Sequence, residues 1–270
     1  MKAEEIKKAV QSGYAKVALQ NLPCCGINSS CCGSAGPVED ISKRIGYSDE
    51  ELQAVPDGSN LGLGCGNPVA LVSLKVGEAV LDLGSGAGFD CFLAASKVGP
   101  TGKVIGVDMT FEMIAKARQN AVQGNFTNVE FRLGEIEKLP VADNYVDIII
   151  SNCVINLSPD KEKVFREAFR VLKPGGRLMV SDMVLLKELP EVIRRSVEAY
   201  VGCIAGAAMK QEYLAAIEAA GFNEIEAVGE DAYPIELTAV DPIAQAVCSN
   251  LSMSSEALDD LATSVASIKV

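Results

Sequence analysis

The chain has 270 residues, enough for one large domain with appendages, and its 49% hydrophobic composition supplies a sizeable core. Net charge is −12, with Lys and Arg scattered rather than striped, which argues against a nucleic-acid partner because phosphate neutralisation needs clustered cations. Histidine is absent and cysteine occurs nine times, so proton transfer falls to Asp, Glu, Tyr, Lys or Cys, and any metal site to sulfur and oxygen.

The opening Met1-Lys2-Ala3-Glu4-Glu5 lacks the apolar stretch of a signal peptide. The longest uncharged apolar segment, residues 199 to 209, is about half a membrane span. The expectation is a soluble cytoplasmic protein with no membrane partner, whose cysteines stay mostly reduced and serve as ligands, redox groups or core residues. Residues 3 to 20 carry Ile6, Val10, Tyr14 and Val17 at helical spacing and predict an amphipathic helix. Residues 21 to 37, with Cys24-Cys25-Gly26 and Cys31-Cys32-Gly33, have no periodicity and read as a mobile loop. Ser48 with Glu51 three residues on predicts a capping box and a short helix ending before Pro56-Asp57-Gly58. A second glycine-rich loop, Gly64-Cys65-Gly66-Asn67-Pro68, delivers one cysteine.

Residues 79 to 90, Ala-Val-Leu-Asp-Leu-Gly-Ser-Gly-Ala-Gly-Phe-Asp, are the stretch around which the chain is organised. Val80, Leu81 and Leu83 suit a buried parallel strand, and Gly84, Gly86 and Gly88 a tight turn that lets a ligand approach the backbone before a helix starts near Phe89. The dinucleotide fingerprint would want glycine where Phe89 stands, and Asp82 would repel a pyrophosphate but attract an ammonium. The ligand expected is a nucleoside carrying a cation. Strands are predicted at 79 to 83, 103 to 108, 128 to 132, 146 to 151 and 177 to 181, with helices between most of them, which gives a doubly wound α/β sheet. Asp108 closes the second strand, 20 residues beyond Gly88, where an acid accepts from ribose hydroxyls. After the third strand, Glu135 is placed to accept from an adenine amino group while Ile136 covers the ring. Asn152 and Cys153 follow the fourth strand at the ligand-binding edge. Ser158-Pro159 reads as N-cap and first residue of a helix that Lys173-Pro174-Gly175-Gly176 ends. A largely helical piece over about 189 to 221 bears Cys203, and the tail after about 238 has little signal.

Val80 to Gly88, Asp108, Gly134-Glu135 and Leu172-Lys173-Pro174-Gly175-Gly176, in this order, resemble class I S-adenosylmethionine-dependent methyltransferases. The contexts of Cys65, of Ser151-Asn152-Cys153-Val154-Ile155-Asn156-Leu157 and of Gly202-Cys203 are similar to those of arsenite methyltransferases, and the resemblance covers roughly residues 45 to 225. It implies a Rossmann-like core with a mostly parallel sheet over 71–185, an N-terminal cysteine-rich segment over 1–70 and a C-terminal helical or mixed arsenic-binding cap and tail over 186–270. S-adenosylmethionine is the implied cofactor. Asp82, Gly84, Ser85, Gly86 and Gly88 would hold its methionine part, Asp108 and Met109 the ribose, and Glu135 and Ile136 the adenine, with Asn152 at the same edge. Cys65, Cys153 and Cys203 match the arsenic-handling cysteines of the family, and the fourth falls on Cys32, with Cys31 as the alternative. The additional doublet Cys24-Cys25 departs from that pattern.

The implied substrate is arsenite held as a thiol adduct. Trivalent arsenic keeps a lone pair that can attack a sulfonium methyl without a general base, so the missing histidine is no obstacle; positioning supplies the catalysis. Two further thiols closing a disulfide would return the product to the trivalent state, with thioredoxin or glutathione as the implied external reductant. Cys91 and Cys248 read as small buried hydrophobes. A zinc site at Cys31-Cys32 fits poorly, since the doublets lack C-x2-C spacing. Two rivals stay open at this point. One is methyl transfer to carbon or oxygen of a small organic substrate, which would need a base; the other is a non-catalytic thiol-rich protein that sequesters metalloid.

Overall fold

The computed structural model describes residues 2–20, 38–68, 73–232 and 263–270. Cys24, Cys25, Cys31, Cys32 and Cys248 lie outside them, as does the predicted loop at 21 to 37. Helices α1 (Ala3–Gln20), α2 (Val38–Arg44) and α3 (Asp49–Gln53) precede the sheet. Helix α3 starts from the expected capping box, in which Ser48 Oγ accepts from Glu51 N at 3.2 Å while Glu51 accepts from Ser48 N at 3.1 Å.

Then β1 (Ala79–Leu83), α4 (Phe89–Val98), β2 (Lys103–Asp108), α5 (Phe111–Gln123), β3 (Val129–Leu133), β4 (Val146–Asn152), α6 (Lys161–Val171) and β5 (Leu172–Leu185) alternate. Short helices α7 (Glu191–Arg194) and α8 (Val197–Val201) and the longer α9 (Lys210–Ala219) come next, and β6 (Gly229–Ala232) and β7 (Val265–Lys269) join a sheet that has seven strands among the described residues, ordered β3-β2-β1-β4-β5-β7-β6. The first five strands are parallel, and β7 lies antiparallel to both β5 and β6.

Alternation along each strand divides the core. Leu81, Leu83, Ile105, Val107 and Ile149 face α6 and α9 through Phe165, Val171, Tyr213 and Ile217. Val80, Val104, Ile148 and Ile150 face α4 and α5 through Phe92, Ala94, Ile114 and Ala117. Both faces of β1, β2 and β4 are thus largely dry, which is why they read as near-unbroken apolar runs. Order reverses between β1 and β4, and in sheets of this kind ligands bind outside the carboxyl ends of the strands at that switch point.

Three readings of the sequence need correction. The strand expected at 177 to 181 runs from Leu172 to Leu185, and the tail after about 238, where the sequence carried little signal, ends inside the core, because β7 joins the sheet with Ile268 fully buried. The N-cap of α6 is Asp160, whose side chain accepts from Lys163 N at 3.0 Å, and not Ser158. Ser158 turns inward instead and donates to the buried Glu137 at 2.7 Å. Among the described residues no helix is long and apolar enough to cross a membrane.

Candidate active site

A cavity of about 790 Å³ opens above the carboxyl ends of β1, β2 and β4 and brings together Asp82, Gly84, Ser85, Gly86, Asp108, Met109, Ile136, Asn152, Cys65, Cys153 and Cys203. One end, where the sequence reading expects the cofactor, is built from the turn after β1. Gly84 and Gly86 take φ of +68° and +52°, conformations that cost a side-chain-bearing residue strain, and a Cβ on Gly86 would meet nothing within 4 Å, so open space lies over the backbone. Asp108 accepts from Gly86 N at 3.0 Å and from Thr110 N at 2.8 Å, which ties the end of β2 to the turn. Ser85 Oγ is buried with no partner among the described residues, a polar atom left for a ligand. Asp82 and Asp90 are both buried, and no ion pair forms to either among the described residues. This donor and acceptor set fits a ligand with an ammonium group and ribose hydroxyls, as S-adenosylmethionine has.

Burial first, and then the charge of Asp90, push the Asp82 carboxyl well above the usual range; burial likewise raises Asp90, against hydrogen bonds from Tyr47 and Asn152. A folded carboxyl with a raised pKa keeps its proton where the unfolded chain releases it, so this stability is present at low pH and is lost as pH rises through the folded value. Cofactor-free Asp90→Asn is therefore expected to melt about 2–4 °C above wild type near pH 7.5, a margin that narrows toward pH 4. The same variant is expected to bind a cationic cofactor more weakly; a thermal melt series with and without ligand checks both.

Two expected contacts are placed differently. Gly88 does not line the cavity; it is the left-handed N-cap of α4. Glu135 is half-exposed and paired with Lys7 Nζ of α1 at 2.7 Å, while Glu137, which the sequence reading passed over, lines the cavity and meets the same amine at 3.0 Å. Helix α1 lies across the cofactor end, where Gln11 Nε2 also donates to Met109 O at 3.2 Å, and Lys7, Val10 and Tyr14 contribute to the wall. Partly exposed ion pairs contribute at most about 1 kcal/mol. Lys7→Ala is accordingly expected to weaken cofactor binding by about two- to fivefold, measured by calorimetry, with the fold unchanged.

At the other end the three cysteines converge from separate parts of the chain. Cys153 sits immediately past β4, and its N–H donates to Ser181 O of β5 at 2.8 Å. Cys65 is held by Asn152, whose Oδ1 accepts from Cys65 N at 3.2 Å and whose Nδ2 donates to Gly66 O at 2.7 Å. Ser267 of β7 donates to Cys65 O at 3.1 Å from the other side. Cys203, past α8, donates from Sγ to Cys153 O at 3.1 Å. Cys153 and Cys203 both adopt left-handed backbone, at φ +56° and +64°. Such conformations cost about 1–3 kcal/mol each and persist where surrounding structure imposes them, often at sites of function. All three are free thiols; Cys153 and Cys203 are buried, Cys65 partly so.

Hydrogen bonds with Cys203 and Cys65, and then burial, push the Cys153 thiol well above its ordinary pKa. Burial pushes Cys65 up as well, against its hydrogen bond with Cys153. Cys65 and Cys153 therefore rest as protonated thiols, which can exchange with hydroxide on a neutral substrate and release water. Sequence reasoning missed Asp182 of β5, which carries one of three ligand atoms, with the Cys65 and Cys153 sulfurs, that lie within 4.8 Å of one another. Burial raises its carboxyl to about 6, against hydrogen bonds from Met183 N and Tyr213. An acid inside an apolar run, Met179 to Leu185, was the available signal.

A family profile described as a methyltransferase domain matches residues 74–221. An arsenite methyltransferase from Halobacterium salinarum is 48% identical over 234 residues, covering 84% of this chain and 60% of that protein. The human arsenite methyltransferase is 37% identical over 228 residues, covering 81% of this chain and 58% of that protein. The crystal structure of an arsenic(III) S-adenosylmethionine methyltransferase from Chlamydomonas reinhardtii superimposes with a TM-score of 0.64 at 31% identity, over 86% of this chain and 72% of that one. This chain spans between 58% and 65% of the length of the curated relatives it matches most strongly. The chain belongs to the methyltransferase-domain family, and along most of its length it is similar to arsenite methyltransferases.

Proposed function

We propose that this chain methylates trivalent arsenic with S-adenosylmethionine. The observation that carries the reading is the convergence of Cys65, Cys153 and Cys203 at one end of a cavity whose other end is the Asp82-to-Gly86 turn and Asp108. S-adenosylmethionine held there supplies an electrophilic methyl on a sulfonium. Asp82 and Asp90 would hold its ammonium, Asp108 its ribose, and Ile136 its base. The three cysteines take arsenite as substrate: each As–OH is replaced by As–S, and the thiol proton departs with the hydroxide as water. The bound arsenic is a neutral tris-thiolate with its lone pair uncovered.

Methyl transfer would form an As–C bond from that pair as the methyl C–S bond breaks and leaves its electrons on sulfur, and would make arsenic formally pentavalent. Two of the cysteine sulfurs then give up two electrons as they join in a disulfide, arsenic returns to the trivalent state, and an incoming thiol takes its place on the metalloid with loss of its proton. Cys32 or Cys31 is assigned that relay from the sequence alone, and an external dithiol or glutathione, or thioredoxin, reduces the disulfide. Holding nucleophile and methyl in line contributes roughly 7–11 kcal/mol of such a barrier without any general base.

The test incubates purified protein with arsenite, S-adenosylmethionine and a dithiol, then separates arsenic species by chromatography with elemental detection. Methylated arsenic with matching S-adenosylhomocysteine is expected. Arsenite retained on the chain with no S-adenosylhomocysteine formed would sink the reading in favour of a sequestering protein.

A further inference from the structure

We infer that Asp182 is the fixed counter-charge for the positive charge that arrives on arsenic during methyl transfer, an assignment that rests on the function proposed above. Asp182 is fully buried on β5, one residue beyond the Ser181 that pairs with Asn152, and its carboxylate stands against the sulfurs of Cys65 and Cys153. The carboxylate is held by neutral donors. Oδ1 accepts from Asn156 Nδ2 at 2.7 Å and from Met183 N at 2.9 Å, and Oδ2 accepts from Tyr213 Oη at 3.0 Å. No cation comes within ion-pair distance among the described residues. The neighbouring amine of Lys161 spends its hydrogen bonds on Ser158 O at 3.0 Å and Asn156 O at 3.4 Å, and its field favours the ionised carboxylate. These hydrogen bonds offset part of the cost of burying the carboxylate and leave its charge uncompensated.

The proposed reaction produces that charge. The tris-thiolate arsenic is neutral and the methyl arrives from a sulfonium. The arsenic lone pair becomes the As–C bond, the pair of the broken C–S bond stays on the departing sulfur, and one positive charge moves from that sulfur to arsenic. A carboxylate already oriented next to the arsenic ligands interacts more strongly with the charge after this transfer than before it, which is differential stabilisation of the transition state. Asn156, Met183 N–H and Tyr213 orient the group without neutralising it, so little reorganisation accompanies the step.

The experiment compares wild type, Asp182→Asn and Asp182→Ser in three measurements. These are arsenic retained per chain after desalting, the ratio of affinities for S-adenosylmethionine and S-adenosylhomocysteine with arsenite bound, and the single-turnover methylation rate. Expected are unchanged arsenic stoichiometry, an unchanged affinity ratio and a rate lower by on the order of 10²-fold, expressed in kcat rather than KM. Asp182→Ser carries the test should the amide variant not fold. Wild-type rate in either neutral variant would overturn the assignment, as would loss of bound arsenic, which would make Asp182 a ligand, or a fall in the affinity ratio, which would make it a partner of the ground-state sulfonium. Absence of methylated arsenic with wild type is a different failure, that of the proposed function itself.

Discussion

Cys153→Ser is expected to abolish arsenic methylation, with a loss of at least about 10²-fold, and to leave less than one arsenic per chain after desalting. The residue is the hub of the thiol cluster: its carbonyl accepts from Cys203 Sγ, its sulfur interacts with both other cysteines, and its backbone is locked left-handed between the end of β4 and Val154. A hydroxyl in its place is shorter, harder and a poor donor to trivalent arsenic, so the remaining two thiols would hold the metalloid off the line of methyl approach. Side-chain volume barely changes, so a melting temperature near wild type should accompany the loss. Speciation of arsenic and elemental analysis of the desalted protein check both halves. Normal turnover by this variant would remove Cys153 from the reaction and leave the cavity's sulfur end without a centre.

How much of the fold and the site is legible in sequence depends on how local the determinant is. The strands β1, β2 and β4 are near-unbroken apolar runs because both faces are covered, and their ends fall within a residue of where periodicity puts them. The turn Gly84 to Gly88 and the capping box at Ser48 are fixed by neighbours within a few residues, and both are readable. Features that depend on distant pairing are not. Strand β7, Val-Ala-Ser-Ile-Lys, is short and carries no turn signal of its own; only insertion between β5 and β6 makes it a strand. Asp182 looks like the residue ending a strand, and its role comes from partners 26 and 31 positions away, Asn156 and Tyr213. Glu135 reads in sequence as an adenine acceptor, but Lys7, 128 residues earlier, engages it, a pairing that no local pattern encodes. The left-handed backbone at Cys153 and Cys203 has no signature in residue type, since cysteine is not a residue that favours it.

Gly84→Ala is expected to disable both ends of the site at once. At φ +68° an alanine incurs about 1–2 kcal/mol of backbone strain. Its Cβ would also lie 2.3 Å from Cγ2 and 2.6 Å from Cβ of Val154, a branched side chain that cannot swing clear at its Cβ. Relief requires the backbone at Val154 to shift, at a further cost of about 1–3 kcal/mol. Val154 is bonded to Cys153, so the displacement that accommodates a methyl in the glycine turn moves a sulfur of the cysteine cluster. The expected result is a melting temperature lower by roughly 5–15 °C, cofactor affinity down at least about tenfold, and arsenite retention reduced although no cysteine has been touched. Gly175→Ala separates strain from collision, because Gly175 is also left-handed, at φ +77°, but a Cβ there meets nothing within 4 Å. That variant should lose about 1–2 kcal/mol of stability and keep both ligands. Arsenite retention by Gly84→Ala equal to that of Gly175→Ala would mean that the glycine turn and the Cys153 strand end move independently, and that the two halves of the cavity are coupled only through the ligands they hold.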